Sequence, residues 1–327
     1  VKISNTRPAS QGNSSCGHNM TEWEELMNKL YTYFYLLLFI PGLLLNTMAL
    51  WVLCRHIRKK TKTVIFMINL ALADLIHILS LPLRIYYYLT HTWPFGHSVC
   101  LLCFYLKYLN MYAAIGFLVC ISVQRCVFLL DPFYTRKWRS RYDLVISIAV
   151  WLLVALACSP FILMRASSNS IPCFKDLPMR HVPFSLVVTL MVLAELFGFV
   201  IPLACISWNE TQRPSGEKQR ALRMVLSCTF VFLLCFAPYH INFLLYLMVQ
   251  QNLVSECATR LAVRQFHPVS LCLASLSCCL NPLLYYFLTA EFRLQLRRQT
   301  SSFTSALVSS QNSVMHRLLS FESSSSK

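Results

Sequence analysis

Residues 64–89 read VIFMINLALADLIHILSLPLRIYYYL, an unbroken apolar run whose only formal charges are Asp74 and Arg84. An α-helix needs about 20 such residues to cross the hydrocarbon of a bilayer. No water reaches the backbone there, so a crossing segment must satisfy its own N–H and C=O groups, which selects a helix. Outward from this stretch the same kind of run recurs at Tyr31–Cys54, Val99–Leu130, Leu144–Met164, Val182–Trp208, Ala221–Val249 and Leu261–Leu288. With Val64–Leu89 as span two, these are spans one to seven. The fold class is therefore an all-α membrane protein, a seven-transmembrane helix bundle. Proline interrupts every span except the third (Pro41, Pro82, Pro160, Pro202, Pro238, Pro268, Pro282), which membranes tolerate because neighbouring groups recapture the freed carbonyls.

Composition agrees. Of 327 residues, 56% are hydrophobic and 13% charged, with a mean hydropathy of +0.53. A soluble domain carries roughly 25% charged residues. The net charge of +16 does not mark a nucleic-acid binder, because the basic residues concentrate in alternate loops: Arg55 to Lys62, Arg136 to Arg141, and Arg213 to Arg220. The positive-inside rule then puts the N-terminus outside and the C-terminus in the cytoplasm. The expected organisation is an extracellular tail over 1–30, glycosylated at the sequons of Asn13 and Asn19, a bundle over 31–288, an interfacial helix over 289–299, and a Ser-rich disordered tail over 300–327. In the interfacial segment Phe292 and Leu296 share one face against Arg293, Arg297 and Arg298, which makes a short amphipathic eighth helix.

Several chemistries find no support. Seven glycines and no GxGxxG or GxxxxGK[ST] string leave no phosphate-cradling loop. No nucleophile motif points to an enzyme, and no cofactor or metal is expected. Span seven has no lysine for retinal, and no internal repeat favours a transporter. Most of the fifteen cysteines lie inside the spans and read as small hydrophobes. Four fall on the outer side: Cys16, Cys100, Cys173 and Cys257. The pairing read here is Cys100–Cys173 and Cys16–Cys257, although sequence alone leaves the connectivity open.

Ionisable groups inside spans are costly and mark functional sites by default. Near the outer end lie Arg84, Lys107, Arg165, His240, Arg264 and His267, interleaved with Tyr88, Tyr108, Tyr112 and Tyr239. Convergent cations among aromatic rings describe a cavity for an anionic head group on an apolar body, gripped by charge-assisted hydrogen bonds. Arg165 and Arg264 have a second reading as side chains that snorkel to the interface, and His240 one as a packing histidine. Glu195, in the middle of span five, balances those cations or meets a ligand ammonium group. Deeper, Asn46, Asp74 and Asn281 form a polar cluster, in which a carboxylate requires partners.

An ordered set of motifs, Gly42-Leu-Leu-Leu-Asn46, Leu70-Ala-Leu-Ala-Asp74, Trp93-Pro-Phe-Gly96, Arg125, Trp151, Pro202, Phe232-Leu-Leu-Cys-Phe236-Ala-Pro238 and Asn281-Pro-Leu-Leu-Tyr285, resembles the class A (rhodopsin-like) G protein-coupled receptors over about 31–298. The stretches Leu81–Tyr88, Cys103–Ala113 and Phe236–His240 resemble the purinoceptor-like branch, and within it the lysophosphatidylserine-receptor group. The resemblance implies a plasma-membrane receptor for a lysophospholipid, coupled to a heterotrimeric G protein of the twelve/thirteen class, with the same two outer disulfides. It assigns an activation relay to Asn46, Asp74, Arg125, Phe236, Pro238, Asn281, Pro282 and Tyr285. Nucleotide-binding members carry a basic residue where Phe243 stands, which favours lysophospholipid over the alternative, a nucleotide.

Three departures follow. Ala114 replaces a family serine, which weakens the case for sodium at Asp74. Gln124 and Cys126 flank Arg125 in place of an acid and a tyrosine, so the arginine is expected to lack its usual carboxylate partner. Only six residues separate Pro202 from the polar string Asn209-Glu-Thr-Gln-Arg-Pro-Ser-Gly216, and Glu210 stands where the family has an inner tyrosine. A deletion across the end of span five and the third inner loop is inferred, compatible with a receptor that binds ligand without coupling.

Overall fold

The computed structural model describes residues 15–55, 64–130, 137–163, 173–174, 226–250, 254 and 256–288, with isolated positions at 189, 192, 196, 200, 204, 297 and 301. Six helices in this part are long and apolar enough to cross a membrane, and the described residues contain no strand. Span five, the third inner loop, the interfacial helix and the tail over 300–327 lie outside the described residues, apart from those isolated positions.

Span one is the helix Ser15–Arg55, which begins well before its apolar run and so extends into the region read as a tail. Polar residues continue the helix there, and Lys29 reaches back one turn to Glu25 at 3.0 Å. Span two is Val64–Thr90, span three Gly96–Leu130 and span four Ser140–Leu163. Span six contains a π-helical turn, Phe232–Phe236, followed by the α-helix Ala237–Gln250. Span seven is Cys257–Leu288.

Prolines accompany one contact between spans and several local bonds within them. Pro282 has no N–H to offer the carbonyl of Cys278, and Asn46 Nδ2 of span one donates to that oxygen at 2.8 Å. Ser80 and Ser270 bond back to the carbonyls of His77 and His267 at 2.7 Å, beside Pro82 and Pro268. Pro238 withdraws another donor, and the chain answers with the wider turn: Ala237 N–H donates to Phe232 O, five residues back.

Small residues set the closest approaches. A Cβ on Gly42 would meet Ile78 Cδ1 at 3.0 Å and Cys279 Sγ at 3.7 Å, and one on Gly116 would meet Val150 Cγ1 at 3.0 Å. Trp151 Nε1 ties span four to Asn69 of span two at 2.9 Å. The main core packs Leu70, Phe117, Leu118, Phe232 and Phe236 across spans two, three and six. Span four turns Leu144, Val145, Leu152, Leu153 and Leu156 outward, as a helix facing lipid does.

Candidate functional site

The disulfide Cys100–Cys173, with Cα atoms 5.8 Å apart, pins the residue after it over the mouth of the bundle. That residue, Phe174, has φ 65°, a left-handed conformation rare for a bulky side chain. Its ring packs on Tyr87, Tyr88, Trp93 and Phe104, with centroids 5.0–6.0 Å away. Beneath it lies Arg84, 2% exposed, with its guanidinium carbon 4.8 Å from the Phe174 centroid. One Nη donates to the carbonyl of Cys103, and Nε has no hydrogen-bond partner among the described residues.

Lys107, one helix over, is 8% exposed and donates to Tyr35 Oη at 3.4 Å. Tyr35 stacks on Tyr31, and Tyr31 on Tyr88. The described residues contain one salt bridge, Lys29–Glu25, on the surface. Arg84 and Lys107 are therefore two buried cations with no described carboxylate in reach. Burying a charge without a counter-charge costs several kcal/mol per ion.

A second aromatic cluster joins spans six and seven to Tyr112 of span three. His240 is fully buried between Tyr112 and Tyr239, at ring separations of 5.8 and 5.3 Å. Tyr239 stacks on Phe243, and His267 stacks on Tyr246 at 4.0 Å while its Nδ1 lies 3.4 Å from Asn242 Nδ2. Tyr108 and Lys107 line a small cavity with His77, Asn110 and Ser275, of about 10 Å³, room for about one water. Arg264 is half-buried on span seven, its Nε without a hydrogen-bond partner among the described residues.

The structure thus brings Arg84, Tyr88 and Lys107 into the cluster around Phe174 and Tyr35, and Tyr112, Tyr239, His240 and His267 into a second cluster. Arg165, Glu195 and Asn13 lie outside the described residues. Cys16, Asn19, Arg125 and Tyr285 are placed along their helices, with side chains outside the description. Cys257 is disulfide-bonded. Sequence reading missed Tyr31, Tyr35 and Phe174. The tyrosines sit at i and i+4 in an apolar run, a signal indistinguishable from a lipid-facing belt.

At mid-bundle Asp74 is fully buried. Its two oxygens accept from Asn110 Nδ2 at 3.0 Å and Asn281 Nδ2 at 2.9 Å. Asn110 was not among the expected members, and it supplies a partner one turn before Ala114. Asn46 secures the backbone at Gly42 and Cys278 instead of touching the carboxylate. No group of three or more His, Cys, Asp or Glu side chains among the described residues is placed to hold a metal.

At the far end the side chain of Arg125 lies outside the described residues. A carboxylate does stand beside this segment, but it comes from span four. Asp143, fully buried, accepts from Gln124 Nε2 at 2.6 Å and from Trp138 Nε1 at 2.7 Å. Gln124, the residue before Arg125, is thereby tied to span four. Asp143→Ala removes the acceptor for one buried donor, Gln124, and one part-buried donor, Trp138, and is expected to cost about 1–3 kcal/mol for the buried group. Asp143→Asn, which keeps an acceptor oxygen, should lose less. Thermal unfolding of the detergent-solubilised protein ranks the two, and equal midpoints for both variants and the parent would refute the clamp.

Comparison with known proteins agrees with this geometry. The profile of the 7 transmembrane receptor (rhodopsin family) matches residues 45–285. The chain is 52% identical over 299 residues to the Putative purinoceptor 10 of Mus musculus, covering 87% of this chain and 91% of that protein. It is 49% identical over 286 residues to the Probable G-protein coupled receptor 174 of Homo sapiens, covering 83% and 86%. It is 30% identical over 313 residues to the Lysophosphatidic acid receptor 6 of Mus musculus, covering 88% and 91%. The profile match over most of the chain and these relatives, together with a membrane-crossing helical bundle and a buried polar cluster at its centre, place this chain in the rhodopsin family of seven-transmembrane receptors: it is a purinoceptor-like G protein-coupled receptor, a multi-pass membrane protein and not an enzyme.

Proposed function

We propose that the chain binds an anionic lysophospholipid, lysophosphatidylserine first, at the plasma membrane, with the N-terminus and disulfide end outside. The observation that carries this reading is the pair of buried cations, Arg84 and Lys107, with no described counter-charge. An arginine fork suits a phosphate or carboxylate held bidentately, and a lysine adds a point charge. The second cluster favours a lipid over a nucleotide, since buried Phe243 stacks on Tyr239 and offers no charge to a polyphosphate. Relatives named as lysophosphatidic acid receptors support an anionic single-chain lipid. The twelve/thirteen class of G protein is the proposed transducer.

A second reading concerns coupling. The match to the mouse purinoceptor spans 299 positions, yet 87% of this 327-residue chain is roughly 284 residues, so roughly fifteen positions lack a counterpart here. That shortfall accords with the deletion inferred after Pro202. The ligand reading is tested with purified protein in nanodiscs: lysophosphatidylserine should raise the thermal unfolding midpoint, while a nucleoside diphosphate should not. Stabilisation by the nucleotide alone would replace the lipid with the purinergic alternative.

A further inference from the structure

His77 follows Asp74 by three residues on span two and is 1% exposed. Neither of its ring nitrogens has a hydrogen-bond partner among the described residues. An imidazole buried with both nitrogens idle is costly, because each has given up water for nothing. The residue lines the cavity of about 10 Å³ that Lys107, Asn110 and Ser275 also line, and all four are buried. That space holds one small occupant.

Donors around the cavity outnumber their acceptors. An ammonium carries three N–H groups, and Lys107 places one on Tyr35 Oη at 3.4 Å. Asn110 Nδ2 carries two, and one goes to Asp74 Oδ1 at 3.0 Å. Neutral His77 adds another. Ser275 adds none, since its hydroxyl already donates to the Leu271 carbonyl at 3.0 Å. Charge points the same way. Asp74 is the only acidic residue of spans two and three, and its oxygens accept from Asn110 and Asn281. Neither Arg84 nor Lys107 forms a salt bridge among the described residues. Two buried cations against one carboxylate leave one positive charge over. A water in the cavity would answer the donors and leave that charge, whereas a monovalent anion answers both. A polyatomic anion exceeds a space sized for one water, and a halide does not.

We propose that this cavity is a chloride site, with Lys107 Nζ, the second N–H of Asn110 Nδ2 and one ring N–H of His77 as its donors. The site belongs to the unliganded chain and stands apart from the ligand reading. One consequence rests on that reading: an anionic ligand group that reaches Lys107 takes the place of the ion.

The full chain in nanodiscs, without lysophospholipid, is unfolded thermally while potassium chloride replaces potassium gluconate at constant ionic strength. Screening is then fixed, and an ion bound only by the folded chain raises the midpoint with its concentration until the site is far above saturation. A rise of a few degrees is expected with chloride and with bromide. His77→Phe fills the space with a ring that has no donor, and Lys107→Met removes the charge at similar length. Both should lose the chloride-dependent rise, while Lys29→Met, at an exposed cation, should keep it. Identical midpoints of the parent in chloride and gluconate overturn the site, and so does a rise that persists in both His77→Phe and Lys107→Met. Should one of these fail to fold, the other decides. In the parent, chloride should also raise the apparent Kd for lysophosphatidylserine severalfold. A Kd indifferent to chloride, or no lipid binding at all, with the midpoint rise intact, retires the displacement and leaves the chloride site standing.

Discussion

Arg84→Ala is expected to weaken lysophosphatidylserine binding by roughly a hundredfold or more, and Lys107→Ala by a comparable factor. Truncating one partner of a buried, hydrogen-bonded charge pair costs about 2–5 kcal/mol, and each 1.4 kcal/mol is about tenfold in Kd. The unliganded protein should respond in the opposite sense. Arg84 is buried with one carbonyl acceptor and two ring faces as partners, so its removal relieves an uncompensated charge, and replacing buried charge by apolar groups is often neutral or stabilising. The expected signature is a thermal midpoint equal to or above the parent's, together with lost ligand affinity. Arg84→Lys keeps the charge and loses the fork, and an intermediate loss of about tenfold is expected. Ligand titration with thermal unfolding on the same samples separates these effects. Parental affinity in both alanine variants would refute the assigned pocket.

On the coupling-defective reading, restoring a full-length span five and third inner loop turns a silent chain into a responding one. Six residues after Pro202 would add about 9 Å if helical, at 1.5 Å per residue, short of a span that projects past the membrane to meet a G protein. In cells with matched surface expression, lysophosphatidylserine-stimulated G protein activation should be near baseline for the chain as it stands. A chimera carrying the corresponding segment of its purinoceptor relative should respond. A response from the unaltered chain shows that the short span is tolerated and retires the coupling-defective reading. Silence from both, with ligand still bound by the purified protein, places the defect elsewhere on the inner face.

The bundle was legible because hydrocarbon imposes one rule on every crossing segment: length and apolarity alone identify it. The cations at the disulfide end were legible for the related reason that a charge inside such a run needs an explanation. What stayed hidden was which spans touch. Asn110 lies one turn from Lys107 in a run that names no neighbour, yet it completes the shell of Asp74. The capture of the Cys278 carbonyl by Asn46 joins residues 232 positions apart, and only the missing N–H of Pro282 hinted that some donor was required. Asp143 stands in the first turn of span four, and nothing in the sequence pairs it with Gln124 of span three. Phe174 lay in a loop whose path no periodicity describes.

The widened turn at Phe232–Phe236 also acts as a gear. One residue more than an α-turn holds shifts the azimuth of everything beyond it by about 100°. Tyr239, His240 and Phe243 face the bundle interior with that offset already included. If the turn tightened to ordinary α pitch with the stretch Leu226–Val231 held still, those three side chains would swing by about that angle, carrying His240 off Tyr112. If that cluster were held by a ligand instead, the same tightening would rotate Leu226–Val231. Aim at one end and phase at the other are a single mechanical variable, set by five residues and one absent proton.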